Sequence, residues 1–496
     1  MTHTEITASM LYDYTRCPHR VELDVLGDWG LRDKVSPFLE LLWERGQAFE
    51  LETIQALTQP FANLRAFPLA QRESATRIAM AQGEPLIYGG RIRSGDLLGE
   101  PDLLRRAGSG YVAGDIKSGA GLKGETEGED GTPKKHYAVQ LALYEAVLDE
   151  LGSLGAGHPF IWDVRGNEVI YDLDRPRGPR VTSSMRSEYH DVLDDVRRIA
   201  DAELTTTPAL VGECSLCHWR SHCRQELKKN DDLSLIPEVG RSRRDSLRAV
   251  FSSVASLASA QKVDLQVAGK SIVPGIGLDM LERLHIRAQL LKAEKPTPII
   301  KGHVVLPGHA RELHFDVETD PMRDRCYLHG FVERSTEEPT SETYHSFFAD
   351  EPTDEAEREA FGAAWELLTS QPPASIFVYS KYERTTLCRL ATRFPEIVTQ
   401  EEVLRVFAED RVVDLYYDVV QPKTEWPTHS YGIKAIATFL GFQWRDPEPS
   451  GAASVRWYHD WVDTRDVAIK QRILEYNEDD CRAMRVLVDF LRSRVA

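Results

Sequence analysis

The chain has 496 residues, which is too long for one hydrophobic core, and about three domains are expected. With 42% hydrophobic and 28% charged residues, the composition excludes a disordered chain and favours a folded one. The net charge of -18 counts against a nucleic-acid binder, unless many acids are metal ligands or the basic residues are grouped locally.

The N-terminal stretch MTHTEITASMLYDYTRCPHR lacks a basic start followed by an apolar run, and no segment approaches the length of a membrane span. We therefore expect a cytoplasmic protein without a membrane partner. The seven cysteines are odd in number and unevenly spaced, which fits a reducing compartment and a ligand role for the clustered ones. Three of them show no ligand spacing and are expected to be core thiols: Cys326, Cys388 and Cys481.

The first group of polar residues lies in GEPDLLRRAGSGYVAGDIKSG. Asp102 stands just ahead of one apolar strand, and Asp115 with Lys117 stands at the end of the next. Residues two apart on a strand share a face, so Asp115 and Lys117 should point into one cleft. Carboxylates that hold Mg²⁺, with a lysine that orients the metal-bound water or steadies developing charge, suit phosphodiester hydrolysis.

Two flanking helical segments extend this group. LLWERGQAFELE offers Glu50 as a further ligand, and YAVQLALYEAVL places Gln140 and Tyr144 four apart on one helical face. Taken in this order, these elements resemble the PD-(D/E)xK motifs of the RecB-like nucleases. Glu50 stands where many relatives have histidine, which keeps a ligand but changes its charge. The resemblance implies a restriction-endonuclease-like core within residues 1–228.

The segment GECSLCHWRSHC contains closely spaced cysteines, and His218 or His222 would complete a local zinc site. In iron–sulfur members of the RecB and AddB-like group, and in the related CRISPR-associated nucleases, an N-terminal cysteine joins three that follow the core. The resemblance thus implies a structural 4Fe-4S cluster that would tie the N-terminal helix to the end of the nuclease domain. Its ligands would be Cys17, Cys214, Cys217 and Cys223.

The middle of the chain carries two glycine turns between helices. VPGIGLDMLERL matches the helix-hairpin-helix pattern, in which the turn at Gly275 and Gly277 presents backbone N–H groups to a DNA phosphate. IPEVGRSRRDSL resembles it, with Glu238 in place of the first glycine. The arginines expected to attract phosphate here are Arg241, Arg243 and Arg244. We place this segment at 229–300; the alternative is a helical spacer with glycine caps.

A second acidic group lies in the last part of the chain. LHFDVETDP presents Asp316 and Glu318 on one face of a strand, and the helical ILEYNEDDCRAM places Tyr476 and Asp480 one turn apart. The pattern resembles the DEDD exonucleases of the ribonuclease H-like fold and implies such a domain at 301–496. In that family four carboxylates hold two metal ions, and the tyrosine positions the water.

The resemblance requires one more acid from the middle of this domain. Glu383 in VYSKYERTTLCRL follows a strand and opens a helix at the expected place, and Asp414 in VVDLYYD is the alternative. Asp479 is interpreted as a solvated neighbour of Asp480.

The sequence therefore predicts an α/β multidomain protein with three parts: a restriction-endonuclease-like core with an iron–sulfur cluster, a small α-helical helix-hairpin-helix segment and a ribonuclease H-like α/β domain. The whole arrangement resembles uncharacterised bacterial RecB-like nucleases. It implies a two-site DNA nuclease using Mg²⁺ or Mn²⁺ on single-stranded DNA ends, in DNA repair or defence. Without a convincing ATP-binding loop, duplex unwinding would need a helicase partner or frayed DNA.

Two alternatives stay open at this point. The first is an RNA-processing 3' exonuclease led by the C-terminal domain. The second is a non-catalytic scaffold that binds nucleic acid while both sites are degenerate. Glu50 and Glu383 favour this alternative, because each stands where the family usually has another residue.

Overall fold

The computed structural model describes residues 4–123, 131–178, 181–338 and 341–495. The chain divides into two compact units. The first consists of Met1–Pro208 and Gly212–Arg224, and the second of Ala209–Val211 and Gln225–Ala496. Among the described residues, no helix combines the length and the apolar character that crossing a bilayer requires.

The first unit is built on a six-stranded mixed sheet. Its strands, in spatial order, are Glu168–Ile170, Phe160–Trp162, Gly110–Ile116, Leu103–Ala107, Leu86–Tyr88 and Ala62–Asn63. A three-stranded sheet comprises Ile6–Thr7, Leu97–Gly99 and Ile92–Ser94. Two-stranded ribbons pair Leu122–Lys123 with Thr132–Pro133, and Pro176–Gly178 with Val181–Ser184. The α-helices are Ala8–Arg16, Pro18–Leu26, Pro37–Gln55, Leu69–Gln82, Lys135–Glu150, Met185–Ala200 and Arg220–Lys229, which begins in this unit.

The central strand Gly110–Ile116 carries the predicted acid Asp115 and is buried along its whole length. Such a strand is covered on both faces, which explains its nearly continuous run of small and apolar residues. Gly114 is required here, because a Cβ at this position would lie 2.4 Å from the ring of Phe160 on the adjacent strand. The helix Lys135–Glu150 packs its buried side against the same core, so the strand end and the helix are fixed together.

The second unit contains a five-stranded sheet. Its strands, in spatial order, are Glu342–Phe348, Arg325–Ser335, Arg311–Asp320, Ser375–Val378 and Val412–Asp414. The first three are antiparallel, and the last two run parallel to Arg311–Asp320. The α-helices that follow the first strand are Asp354–Thr369, Tyr382–Arg393, Gln400–Phe407, Gln421–Lys423, Ile433–Phe439, Gly451–Thr464 and Val467–Val495, with a π-helix at Leu415–Val420.

The central strand Arg311–Asp320 separates the core of this unit from its acidic face. Leu313, Phe315 and Val317 pack into one hydrophobic cluster with the helices Asp354–Thr369 and Tyr382–Arg393. Because side chains alternate along a strand, Asp316 and Glu318 point to the opposite face. The long helix Val467–Val495 crosses that face, which brings its polar residues to the acids.

The second unit also includes the helical segment that precedes this sheet. Its α-helices are Arg241–Arg248, Val254–Ser259 and Leu278–Lys292, joined by a ribbon of Gln266–Val267 and Lys270–Ser271. They enclose a small hydrophobic cluster of their own, with Leu247, Leu257 and Leu281 at its centre. A second ribbon pairs Ile299–Ile300 with Thr424–Glu425.

Candidate active sites

The two aspartates predicted in the first unit, Asp102 and Asp115, are linked by hydrogen bonds between side chains and backbone at the ends of adjacent antiparallel strands. The backbone N–H of Ile116 donates to Asp102 Oδ2 at 3.0 Å, and the N–H of Asp102 donates to Asp115 Oδ1 at 3.3 Å. Burial and the neighbouring Asp115 raise the pKa of Asp102 to about 7. Two carboxylates held this close favour the neutral form of one of them, a cost that a bound cation would remove.

Lys117 pairs with one of these two acids, Asp115. Its Nζ lies 2.9 Å from Asp115 Oδ2, and Asp115 is only 1% exposed. Burial alone would lower the pKa of Lys117, but the charges of Asp115 and Asp102 outweigh it and raise the pKa above its usual range. Lys117 is therefore a fixed cation at the acid pair.

Glu50 is joined to Asp102 by a residue that the sequence did not indicate. Arg65 Nη2 lies 3.0 Å from Glu50 Oε1 and 3.0 Å from Asp102 Oδ1. Tyr88 also donates to Glu50 Oε1, at 2.9 Å. Gly89, with φ of +71°, leaves space for Arg65, because a Cβ there would lie 2.5 Å from the arginine Cγ. No motif surrounds Arg65, so only the fold reveals it.

Gln140 and Tyr144 lie one turn apart on the helix Lys135–Glu150, as predicted. Gln140 Nε2 donates to the Tyr144 hydroxyl at 3.2 Å, and that hydroxyl donates to the carbonyl oxygen of Glu100 at 3.4 Å. Burial and the charges of Asp115 and Asp102 raise the pKa of Tyr144 well above its usual value. The pair thus borders the two aspartates.

The four clustered cysteines all belong to the first unit and are partly exposed. Cys17 separates the helices Ala8–Arg16 and Pro18–Leu26. Cys214 lies in the 3-10 helix Gly212–Leu216, Cys217 follows it, and Cys223 lies in the helix Arg220–Lys229. Burial raises the pKa of the Cys217 thiol, and the nearby thiols of Cys17 and Cys214 add to this rise. In the described part of the chain, however, no three sulfur or histidine ligand atoms lie within 4.8 Å of one another.

The segment after Cys217 is anchored to the helix that follows Cys17. His218 Nε2 lies 2.7 Å from Asp24 Oδ1, and the indole N–H of Trp219 donates to the same oxygen at 2.8 Å. Trp219 is completely buried. The remaining cysteines, Cys326, Cys388 and Cys481, are buried, which agrees with their predicted place in the core.

In the second unit, three predicted acids converge. One carboxylate oxygen each from Asp316, Glu318 and Asp480 lies within 4.8 Å of the others. Burial and the proximity of the other acids raise the pKa of Asp316 well above its usual value. Burial and the charge of Asp480 raise the pKa of Glu318 to about 8. This crowding of like charges is typical of a site built for divalent cations.

Neighbouring polar groups fix the orientation of these acids. Asn477 Nδ2 donates to Asp316 Oδ2 at 2.8 Å, and its Oδ1 accepts from the Tyr344 hydroxyl at 2.8 Å. The Trp444 indole N–H donates to Asp480 Oδ1 at 2.8 Å. Gly330, which pairs with Asp316 across the sheet, makes room for Asn477, because a Cβ there would lie 1.5 Å from the Asn477 Oδ1.

Tyr476 meets a second residue that the sequence did not indicate. Lys434 Nζ donates to the Tyr476 hydroxyl at 2.8 Å and lies 3.1 Å from Asp480 Oδ2. Tyr476 is only 2% exposed, and burial together with the charge of Asp480 raises its pKa above the usual range. Lys434 is the second residue of the short helix Ile433–Phe439, without a motif to mark it.

Glu383 and Asp414 have different surroundings. Glu383 is 3% exposed, its Oε2 has no hydrogen-bond partner among the described residues, and its charge contributes to the raised pKa of Asp316. It is not part of the group of three acids. Asp414 Oδ1 instead accepts from the backbone N–H groups of Ser380, Tyr416 and Tyr417, each at 3.0 Å. Asp414 therefore acts as a helix cap.

Two residues are not in the surroundings that the sequence suggested. Asp479 is not a solvated neighbour of Asp480: it is 3% exposed and accepts from the Arg445 backbone N–H at 2.8 Å and from its Nε at 3.0 Å. Arg244 is 2% exposed and pairs with Asp245 at 2.7 Å and with Asp232 at 3.6 Å. A buried, paired guanidinium is not available to a phosphate, so the predicted contact of Arg244 is wrong.

Each of the two turns that the sequence singles out contains a residue with a positive φ. Gly275 has φ of +78°, and Gly277 precedes the helix Leu278–Lys292. Glu238, at the glycine position of the first turn, also has a positive φ, +65°. Arg243 is exposed and donates to the Glu238 carbonyl oxygen at 2.8 Å, while Arg241 is partly exposed.

The carboxylate clusters, each with a lysine, define a metal-dependent nuclease. Residues 31–224 match the family model of the PD-(D/E)XK nuclease superfamily, and residues 313–492 match that of the RNase_H superfamily. The chain therefore joins a PD-(D/E)XK nuclease domain to an RNase H-like domain, and both belong to nuclease superfamilies. No curated protein matches the sequence significantly.

Proposed function

We propose that the chain is a two-site DNA nuclease that hydrolyses phosphodiester bonds at single-stranded ends, in DNA repair or defence. The observation that carries the proposal is the convergence of Asp316, Glu318 and Asp480 within 4.8 Å. Their raised pKa values fit a cation site, because a divalent ion would compensate the repulsion.

In the second site, Asp316, Glu318, Glu383 and Asp480 would hold Mg²⁺ or Mn²⁺. Such ions would supply Lewis acidity that activates a water molecule and positive charge that stabilises the developing anion. The Tyr476 hydroxyl, held by Lys434 at 2.8 Å, would orient the water at a 3' end. The unpartnered Oε2 of Glu383 supports its assignment over Asp414, whose Oδ1 is occupied by three backbone N–H groups.

In the first site, Glu50, Asp102 and Asp115 would hold the ion, and Lys117 would orient the water or stabilise developing charge. Gln140 and Tyr144 would position the strand beside the aspartates. The interlocked backbone contacts of Asp102 and Asp115 support this assignment, because they fix both carboxylates before a metal binds.

We further propose that Cys17, Cys214, Cys217 and Cys223 bind a structural 4Fe-4S cluster. The proximity of the Cys17 and Cys214 thiols to Cys217, whose pKa they help to raise, supports it. Cysteine thiolates are the usual ligands of such a cluster. In the alternative zinc site, His218 or His222 would complete the ligand set; the Asp24 contact of His218 is made by Nε2, so Nδ1 would be its ligand atom.

The remaining parts complete the proposal. Residues 1–228, 229–300 and 301–496 would form the nuclease, hairpin and exonuclease domains. Gly275 and Gly277, with Arg241 and Arg243, would contact the phosphate backbone, and a cytoplasmic helicase partner would supply single strands. The positive φ of Gly275 and the exposure of Arg243 support the hairpin assignment.

One observation favours a second candidate function, an RNA-processing 3' exonuclease. The three acids that approach within 4.8 Å all belong to the RNase H-like domain, so this site is the better formed for metal ions among the described residues. In that case the second site alone would act on RNA.

The test compares degradation of end-labelled single-stranded DNA with RNA of the same sequence, in Mg²⁺ and in Mn²⁺. We expect Lys117→Ala and Asp316→Ala each to remove part of the DNA hydrolysis, and the double variant to remove all of it. Glu359→Ala, an exposed acid on the helix Asp354–Thr369, is the control. RNA cleavage that survives Lys117→Ala and exceeds DNA cleavage would favour the second candidate; DNA binding without hydrolysis would establish the scaffold.

A further inference from the structure

A cavity of about 610 Å³ in the second unit shares one lining residue, Lys434, with the surroundings of the acid cluster. Four tyrosines line it, Tyr379, Tyr416, Tyr417 and Tyr431, together with Lys434. Lys434 is the residue that contacts Tyr476 and Asp480, so one wall of the cavity is a direct neighbour of the proposed catalytic groups. The volume lies within the range of ligand-binding pockets.

Three of the four tyrosines, Tyr379, Tyr416 and Tyr417, are joined by contacts between their rings. The ring centroids of Tyr379 and Tyr416 lie 5.8 Å apart, and those of Tyr416 and Tyr417 lie 4.9 Å apart with the rings edge to face. Tyr417 is 42% exposed, which is unusual for a large ring whose neighbours are partly buried. An exposed ring beside a row of other rings is a platform on which a planar group can stack.

The backbone around this surface is fixed by Asp414. Its Oδ1 accepts the N–H groups of Tyr416 and Tyr417 and that of Ser380, which follows Tyr379. Ser380 has φ of +103°, a strained conformation for a residue with a side chain, and the Asp414 contact helps to hold it. One carboxylate thus sets the positions of three of the four tyrosines before any ligand binds.

Two cations border the tyrosines. Lys381 Nζ lies 4.6 Å from the centre of the Tyr417 ring, and Lys434, whose Nζ lies 3.1 Å from Asp480 Oδ2, lines the cavity. The acid at the cavity, Glu238, is already engaged, because its Oε2 lies 2.9 Å from the buried Arg287. Aromatic rings that stack with bases, together with ammonium groups that pair with phosphates, bind single-stranded nucleic acid without sequence preference.

We propose that this cavity stacks the terminal bases of a single-stranded nucleic acid and thereby directs its end phosphodiester to Asp316, Glu318 and Asp480. The inference rests on the proposed function of the second site. It explains how that site would select an unpaired end. Bases in a duplex are already stacked and paired, and so are not free to enter the cavity.

The experiment uses the full chain carrying Lys117→Ala, so that only hydrolysis by the second site is measured. The KM is measured for short single-stranded oligonucleotides of DNA and of RNA, each with either normal or abasic residues at the end. We expect Tyr417→Ala to raise the KM for normal ends about tenfold, the usual effect of losing one base–aromatic stack. Tyr417→Phe, which keeps the ring, should keep the KM within about twofold.

The abasic ends separate stacking from a change in folding. Without a base there is nothing to stack, so the Lys117→Ala protein should show the raised KM already, and Tyr417→Ala should raise it no further. An equal loss on normal and abasic ends, or no loss on normal ends, would overturn the cavity proposal while leaving the hydrolysis intact. If the Lys117→Ala protein degrades neither DNA nor RNA, the proposed second site itself is wrong.

Discussion

Arg65 Nη2 lies 3.0 Å from Asp102 Oδ1 and the same distance from Glu50 Oε1. One guanidinium thus contacts two of the three proposed ligands of the first site. A divalent cation that binds the same carboxylate oxygens would have to compete with it for them.

Arg65→Gln should therefore lower the Mg²⁺ concentration at half-maximal DNA hydrolysis by about fivefold, the equivalent of a ~1 kcal/mol exposed ion pair. The measurement is a Mg²⁺ titration in an Asp316→Ala background, which silences the second site. Arg77→Gln, an exposed arginine on the helix Leu69–Gln82, is the control. A higher Mg²⁺ requirement would mean that Arg65 assists the metal rather than competing with it.

Gly330→Ala should inactivate the second site by displacing Asn477. The new Cβ would lie 1.5 Å from Asn477 Oδ1, so Asn477 must move and release Asp316. We expect more than a tenfold loss of hydrolysis in a Lys117→Ala background and a free energy of unfolding lower by about 1–3 kcal/mol.

Gly302→Ala is the matched control for this change, because a Cβ there meets no atom within 4 Å. Unaltered hydrolysis in Gly330→Ala would show that Asn477 is not needed to orient Asp316.

The parts of both sites that follow from local periodicity could be predicted from the sequence. The strand Arg311–Asp320 places Asp316 and Glu318 on one face, and the helix Val467–Val495 places Tyr476 and Asp480 one turn apart. A period of two or of about four residues determines such neighbours within one element. Both elements are confirmed.

The parts that depend on contacts between distant segments could not be predicted. Arg65 and Lys434 come from short segments without a motif, and they reach the acids only because the sheets bring these segments together. The prediction of a solvated Asp479 is wrong, because its partner Arg445 comes from a loop outside the helix. Burial of a charged residue in a polar run becomes visible only when the partner is known.

Glu425→Gln should destabilise the second unit. Glu425 is completely buried and lies 2.6 Å from Arg287 Nε and 2.6 Å from Lys301 Nζ. Because Arg287 is equally buried, the variant would leave its charge with Glu238 as the remaining acidic partner, and we expect a loss of at most about 3–5 kcal/mol. Denaturant unfolding at neutral pH measures this difference, with the exposed Glu359→Gln as control.

The same pair predicts a pH dependence. Burial would raise the pKa of Glu425, but Arg287, Lys301 and Tyr431 outweigh it and hold the pKa below its usual value of 4.5. A carboxylate with a lowered folded pKa contributes stability above its unfolded pKa and loses it as the pH falls through the folded pKa. The parent and Glu425→Gln should therefore converge in stability below pH 4.5, and a constant gap would contradict the ion-pair explanation.

Glu318→Gln should stabilise the protein without metal while abolishing hydrolysis at the second site. Burial and Asp480 raise the pKa of Glu318 to about 8, so its charge is unfavourable in the folded chain. Removing that charge should add about 1 kcal/mol to the free energy of unfolding in a chelator. Mg²⁺ should raise the melting temperature of the parent more than that of the variant. An equal rise in both would show that Glu318 does not bind the ion.

Cys17→Ser and Cys217→Ser should each lose iron, sulfide and visible charge-transfer absorption in anaerobically purified protein. A cluster that joins Cys17 to Cys217 closes a long loop, so its loss should also lower the melting temperature of the first unit. Cys388→Ser is the control, because Cys388 lies in the core of the second unit and should retain full iron content. Protein that contains zinc alone, and whose zinc survives Cys17→Ser, would exclude the cluster and favour a local site of Cys214, Cys217 and Cys223 with a histidine.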